Sequence, residues 1–322
     1  MQTRLTELLG IEHPVMLAGM GGVSYSSLAA AVSEAGGIGC LGASTMIMAG
    51  QMEAEIARTR ELTDKPFGVD LLTAMPGDLL GQVQAIIDGG ASMFVAGLGI
   101  PTEAVQLCHD HDVVVVNMCG KVAHAVRAVE AGCDLVVAQG TEAGGHTGTV
   151  ATMPLVPQIV DAVGGQVPVV AAGGLFDGRG LAAALALGAD GVWLGTRFIA
   201  TPEARAVAGY KDALVHTAED GTVVSRAYSG KTMRVVRNRY TAWWEANTDQ
   251  LQRFPAQMGR SIEDGALHLG GNEDDDVDPE LECYPAGQGV GGIAELVPAG
   301  DIVRQIVAEA ESVLRGLNPA SS

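Results

Sequence analysis

One segment of this chain combines residues that could move a proton beside a flat ligand. Residues 139–148 read Gln-Gly-Thr-Glu-Ala-Gly-Gly-His-Thr-Gly. Gly144 and Gly145 stand directly before His146, so the backbone can approach a ligand closely and leave the imidazole at its edge. Histidine is the side chain whose ordinary pKa suits general acid or base work near neutral pH. Two glycine turns, Gly173-Gly174 and Gly195-Thr196, each follow an apolar run. Backbone N–H groups at such turns cradle a phosphate without positive side chains, and Thr196 can add a hydroxyl. The other histidines (His13, His109, His111, His124, His216 and His268) lack the setting of His146 and are expected at a strand entrance, on the surface or on helices. Neither HExxH nor a Cys/His cluster suggests a metal, and GxSxG and Walker GxxxxGK[ST] patterns are missing.

These residues need a frame that gathers them. Eight runs read as strands: VMLAGM from Val15, IGCLGA from Ile38, FGVDLL from Phe67, MFVAGL from Met93, VVVVNMC from Val113, LVVAQG from Leu135, VPVVAAGG from Val167 and GVWLGTRF from Gly191. They are apolar nearly throughout, as expected of parallel strands covered on both faces. Their starts lie 20–32 residues apart, room for one strand, one helix and two loops. Residues 26–35, 51–61, 121–131 and 178–187 have helical spacing, three of these segments ending at glycine. Eight such units predict an α/β fold, a (β/α)8 TIM barrel over residues 1–209. An open doubly wound sheet is the alternative, but its G-x-G-x-x-G lacks the third glycine after Gly19-Met20-Gly21. In a barrel the site lies at the C-terminal strand ends, where Ala18 to Gly22, Asp70, Asn117 to Lys121 and the glycine turns above all fall.

Residues 210–322 break the rhythm and form a C-terminal extension. Residues 222–240 hold much of the basic charge and read as a hairpin or extended arm. Residues 241–258 suggest a helix carrying Trp243 and Trp244, which could pack on the core or anchor a homodimer. The acidic run 273–282 reads as a solvated loop rather than a calcium site, since EF-hand spacing is absent. Residues 298–317 form an amphipathic helix.

Lys+Arg total 19 against 38 Asp+Glu, a formal charge of −19, which argues against nucleic acid and anionic membranes as partners. The five cysteines are scattered without CxxC and are expected as buried thiols in a reducing compartment. No apolar run approaches the roughly 20 residues of a membrane span, so a cytoplasmic protein is expected. The residues alone thus predict a phosphate-bearing ligand in a barrel beside a catalytic histidine.

The segments HPVMLAGMGG, PFGVDLL, AQGTEAGGHTG, VVAAGGLFDGRG and GVWLGTRFIAT resemble, in order, the nitronate monooxygenase family, formerly 2-nitropropane dioxygenases. That pattern is shared with flavin-dependent type II enoyl-acyl-carrier-protein reductases, and it spans roughly residues 5–240. The resemblance implies a barrel binding FMN noncovalently at the strand ends. It implies that Gly173, Gly174, Gly195 and Thr196 hold the phosphate, and that Ala18, Gly19 and Met20 line the ring. Gln139, Gly144 and Gly145 would contact the cofactor, Lys121 would sit near the ring, and His146 would be catalytic. The family often reads GVN where this chain has Asp70; an ionised aspartate only accepts hydrogen bonds, and would disfavour an anionic reduced flavin. The implied reaction converts an alkyl nitronate and O2 to a carbonyl compound and nitrite. The alternative is NAD(P)H-dependent reduction of an unsaturated acyl thioester on acyl-carrier protein or CoA, with Arg226, Lys231, Arg234, Arg237 and Arg239 meeting phosphates. A different class, a flavin-free phosphate-ligand binder, is the third reading.

Overall fold

Eight parallel strands close on themselves around an apolar interior. The computed structural model describes residues 1–48, 50–73, 77–97 and 99–317. The strands are β1 Val15–Leu17, β2 Gly39–Gly42, β3 Phe67–Leu72, β4 Met93–Gly97, β5 Val114–Cys119, β6 Leu135–Gln139, β7 Gly145–His146, β8 Val169–Ala172, β9 Gly191–Leu194, β10 Thr222–Ser225 and β11 Met233–Val236. The main sheet runs β1-β9-β8-β6-β5-β4-β3-β2. A parallel bridge between Met16 and Ile38 joins its two edges, with Ile38 N donating to Val15 O at 3.0 Å. The open-sheet alternative is thereby excluded. Leu98, expected to end the fourth strand, lies outside the described residues, as do 318–322.

Strand periodicity sorts the apolar residues into two layers. Met16, Cys40, Val95, Val116, Val137, Val170 and Trp193 point into the barrel. Val15, Leu17, Leu41, Val69, Val136 and Val192 point outward against the helices. Leu5, Leu9 and Ile11 plug the bottom. Both faces are therefore buried, which is why the strands read as unbroken apolar runs. The expected strand from Gly191 is shorter than its sequence suggests: Thr196–Ile199 turns into one helical turn, placing Thr196 at a helix N-terminus.

The helices follow their strands, including Ser26–Glu34, Met52–Leu62, Val122–Glu130 and Gly178–Ala186. The amphipathic tail, Ala299–Leu317, lies on Gly178–Ala186 so closely that a Cβ on Gly178 would sit 2.4 Å from Ile306 O. Glu309 accepts the Gly178 N–H at 2.8 Å, an acidic group at a helix N-terminus.

Beyond the barrel, β10 and β11 form the expected hairpin. The helix expected over 241–258 is instead two helices, Arg239–Ala246 and Ala256–Glu263. Pro255 stands immediately before the second, where its missing N–H costs nothing, whereas in a helix interior it would break the ladder. Tyr228, Met233, Val235, Tyr240, Trp244 and Cys283 form a small core of their own. Trp244 is buried in it and Trp243 is 47% exposed. All five cysteines are free and buried. Among the described residues no helix is long and apolar enough to cross a membrane.

Candidate functional site

A cavity of about 470 Å³ opens at the C-terminal ends of the barrel strands. Ala18, Gly19, Met20, Asp70, Gln139, Gly144, Gly145, His146, Gly173, Gly174, Gly195 and Thr196 all line it. Lys121 does not: it is exposed and stands at the N-cap of helix Val122–Glu130. The resemblance implied a place near the ring; in the structure the residue stands at the start of the helix after β5.

The loop after β6 is fixed by the C-terminal hairpin. Gly145 and His146 form β7, which pairs antiparallel with Arg234 and Met233 of β11. Arg234 Nε donates to Thr141 O at 3.0 Å, and its Nη1 to Thr222 Oγ1 at 3.1 Å. Gln139 Nε2 donates to His146 O at 3.3 Å. The imidazole Nε2 lies 2.9 Å from Ser229 Oγ. Burial, and then the charge of Lys231, hold the His146 pKa below its ordinary value. The ring is therefore neutral at neutral pH and able to accept a proton.

Gly173 and Gly174 have φ of +108° and +74°, conformations that other residues enter with strain. A Cβ on Gly173 would lie 2.8 Å from Thr152 Oγ1, and one on Gly174 would lie 3.0 Å from Glu142 Cβ. Among the described residues the Gly174 N–H has no backbone acceptor. Thr196 Oγ1 accepts the Gly287 N–H at 2.9 Å, which leaves its own hydroxyl proton to donate. These groups could hold an anion.

Asp70 stands at the cavity floor. Its neighbour Gly19 is obligatory, because a Cβ there would fall 2.2 Å from Asp70 Cβ. Among the described residues its carboxyl has no hydrogen-bond partner. Burial raises its pKa to about 8. The expectation of an ionised acceptor is thus corrected: at neutral pH the group is protonated and can donate as well as accept.

The basic arm does not present five cations. Arg234 is buried in the bonds above, and Arg239 pairs with Asp278 at 2.8 Å. Lys231 lies 4.3 Å from the Phe254 ring centroid. Arg226 and Arg237 are exposed.

Several cavity residues lie outside every sequence motif. Tyr228, Ser229, Phe254, Met258, His268 and Glu282 form its outer wall. No local signal marks Ser229, 83 residues from His146. His268 is on the surface as expected, but at the cavity mouth and bonded to Glu282. That residue ends the acidic run and, unlike a solvated carboxylate, is 1% exposed. Elsewhere, His109 pairs with Asp134 and His216 with Asp212. Among the described residues no group of three or more His, Cys, Asp or Glu side chains could hold a metal.

The nitronate monooxygenase family pattern matches residues 2–80 and 72–309. The chain is 41% identical over 238 residues to the (3aS,4S,5R,7aS)-5-hydroxy-7a-methyl-1-oxo-octahydro-1H-indene-4-carboxyl-CoA dehydrogenase of Mycobacterium tuberculosis, a match spanning 74% of this chain and 66% of that protein. It is 31% identical to a probable nitronate monooxygenase of Staphylococcus aureus, over 98% of this chain and 99% of that one. Among solved structures, FabK from Thermotoga maritima superposes with a TM-score of 0.87 at 34% identity, over 99% of both chains.

Proposed function

This chain belongs to the nitronate monooxygenase family, and from that premise we propose that it is an FMN-dependent oxidoreductase converting alkyl nitronates and O2 to carbonyl compounds and nitrite. The observation that carries the reading is a neutral, hydrogen-bonded His146 on the wall of the same cavity as the Gly173-Gly174 cradle. The residues fit an FMN. The cradle and Thr196 suit its phosphate, and the unpartnered Asp70 carboxyl needs a donor or acceptor from a ligand. When bound, the flavin supplies the electron transfer to oxygen.

The remaining work belongs to the chain. Gly173, Gly174 and Thr196 would hold the phosphate through N–H and O–H donors. Gly19 and Met20 line the cavity and would offer one face of the ring its surface. His146 takes a proton from the carbon of a neutral nitroalkane, and Ser229 holds its ring in place for that step. The outer wall, with Tyr228, Phe254 and Met258, excludes water from the reacting atoms.

The second reading is NAD(P)H-dependent reduction of an unsaturated acyl thioester. It is favoured by the relative named for a carboxyl-CoA substrate and by the likeness to FabK. Arg226 and Arg237 are the exposed arm cations that could meet a phosphate. The test is the flavin itself. Purified protein is expected to be yellow, to release FMN on denaturation, and to consume oxygen with propyl-2-nitronate. Colourless protein after flavin supplementation would sink the flavin reading. Anaerobic bleaching by NADPH without nitronate turnover would replace the first reading with the second.

A further inference from the structure

The cavity holds a second imidazole that the reaction at His146 does not use. His268 Nδ1 lies 2.5 Å from Glu282 Oε2, and the His268 backbone N–H donates to Glu282 Oε1 at 3.2 Å. The two segments are locked side by side, with Cys283 N donating to Ala266 O at 2.9 Å and Asn238 Nδ2 donating to Glu282 O at 2.9 Å. Glu282 is 1% exposed, whereas 36% of the His268 side chain remains accessible. Glu282 is thus the buried orienter and His268 the presented group. Both line the cavity, His268 between Leu267 and Leu269.

The two imidazoles come to the cavity on different segments. His146 follows β6. The segment after His268 crosses the β1 loop, where a Cβ on Gly22 would lie 3.3 Å from Gly270 N. Strands β9 and β8 separate β1 from β6 along the shorter way round the barrel. Both rings line one cavity, so a single bound molecule can meet both.

The pairing decides what His268 can recognise. Burial raises the Glu282 pKa and the bond to His268 lowers it; where its Oε2 accepts from Nδ1–H, Nε2 of the ring is left as an acceptor. Among the described residues Nε2 has no partner. A carbonyl offers it nothing, and a carboxylate would add charge beside Glu282. A hydroxyl fits. We propose that His268, oriented by Glu282, is a specificity residue that accepts a hydrogen bond from a hydroxyl at the end of the substrate remote from the reacting carbon. This deepens the oxidoreductase reading, whose substrate class becomes a largely apolar molecule with a distal hydroxyl.

The test uses FMN-loaded protein and linear ω-nitroalcohols of about three to eight carbons, each against its methyl ether, with Kd read by calorimetry. At the length that spans the mouth, wild type should bind the alcohol roughly three- to tenfold more tightly than the ether, the worth of one hydrogen bond. Glu282→Gln places an amide donor on Nδ1 and moves the ring proton to Nε2. That variant should bind alcohol and ether alike, the ether more tightly than wild type does. His268→Phe should lose the preference without gaining the ether. A merely structural pair would weaken both ligands together in both variants. Equal binding of alcohol and ether by wild type at every length, including no binding of either, overturns the proposal. Failure of the parent reading is distinct: it appears as absent nitronate turnover while the alcohol preference persists.

Discussion

His146 Nε2 lies 2.9 Å from Ser229 Oγ, a contact between the barrel loop after β6 and the turn that joins β10 to β11. The imidazole is therefore held by a segment that the barrel does not contain, and its proton affinity, lowered first by burial, is lowered further there by Lys231.

That contact makes a kinetic prediction. His146→Ala should keep its flavin and lose roughly 10²- to 10⁴-fold in turnover of a neutral nitroalkane, the usual worth of a general base. The preformed nitronate, already deprotonated, should lose far less. Ser229→Ala should cost about tenfold on the nitroalkane, the value of one positioning hydrogen bond. Equal losses on nitroalkane and nitronate in His146→Ala would show that the ring is not the base.

The same ring predicts a pH profile. A base is active when deprotonated, so kcat/KM for the nitroalkane should rise with pH and level off above the His146 pKa, which lies below the ordinary 6.5. Lys231→Met removes one of the two causes of the lowering and should move the inflection upward. A profile unmoved by that substitution would exclude Lys231 as a cause.

Asp70 couples stability to pH. The unfolded carboxyl titrates near 3.8 and the folded one near about 8, so the folded state holds the proton more tightly. Stability from this group is complete below the lower value and is lost as pH rises through the upper one. In flavin-stripped protein, Asp70→Asn should raise Tm relative to wild type by more at about pH 8 than at about pH 4. The same difference at both pH values would mean that the folded carboxyl titrates where the unfolded one does.

The glycine cradle and the displaced lysine form a contrasting pair. Gly173→Ala places a methyl 2.8 Å from Thr152 Oγ1 at a φ of +108°, and should weaken FMN binding at least about tenfold with the circular dichroism spectrum retained. Lys121→Met changes an exposed side chain away from the cavity and should leave the flavin Kd unchanged. A Kd that rises in Lys121→Met would return the lysine to the cofactor.

The barrel and its inner wall were legible because their signals are local. Each strand is an apolar run, and Gly173, Gly174, Thr196 and His146 follow one directly. Lys121 also follows such a run, but it stands at a helix N-cap and does not line the cavity, a placement that spacing does not carry. Ser229, His268 and Glu282 were not legible as site residues, because pairing between distant segments brings them to the cavity. The apolar spacing across 241–258 runs through Pro255, which divides the helix. Asp70 was legible in position but not in protonation, since its charge depends on burial at the barrel mouth.

The pairing of β7 with β11 has a consequence for synthesis. All eight barrel strands are complete by Leu194, yet the strand that aligns His146 ends only at Val236. A nascent chain can close its ring of strands while the histidine loop still waits for its partner. Reactivity therefore arrives after the scaffold, once residues through Val236 have left the ribosome.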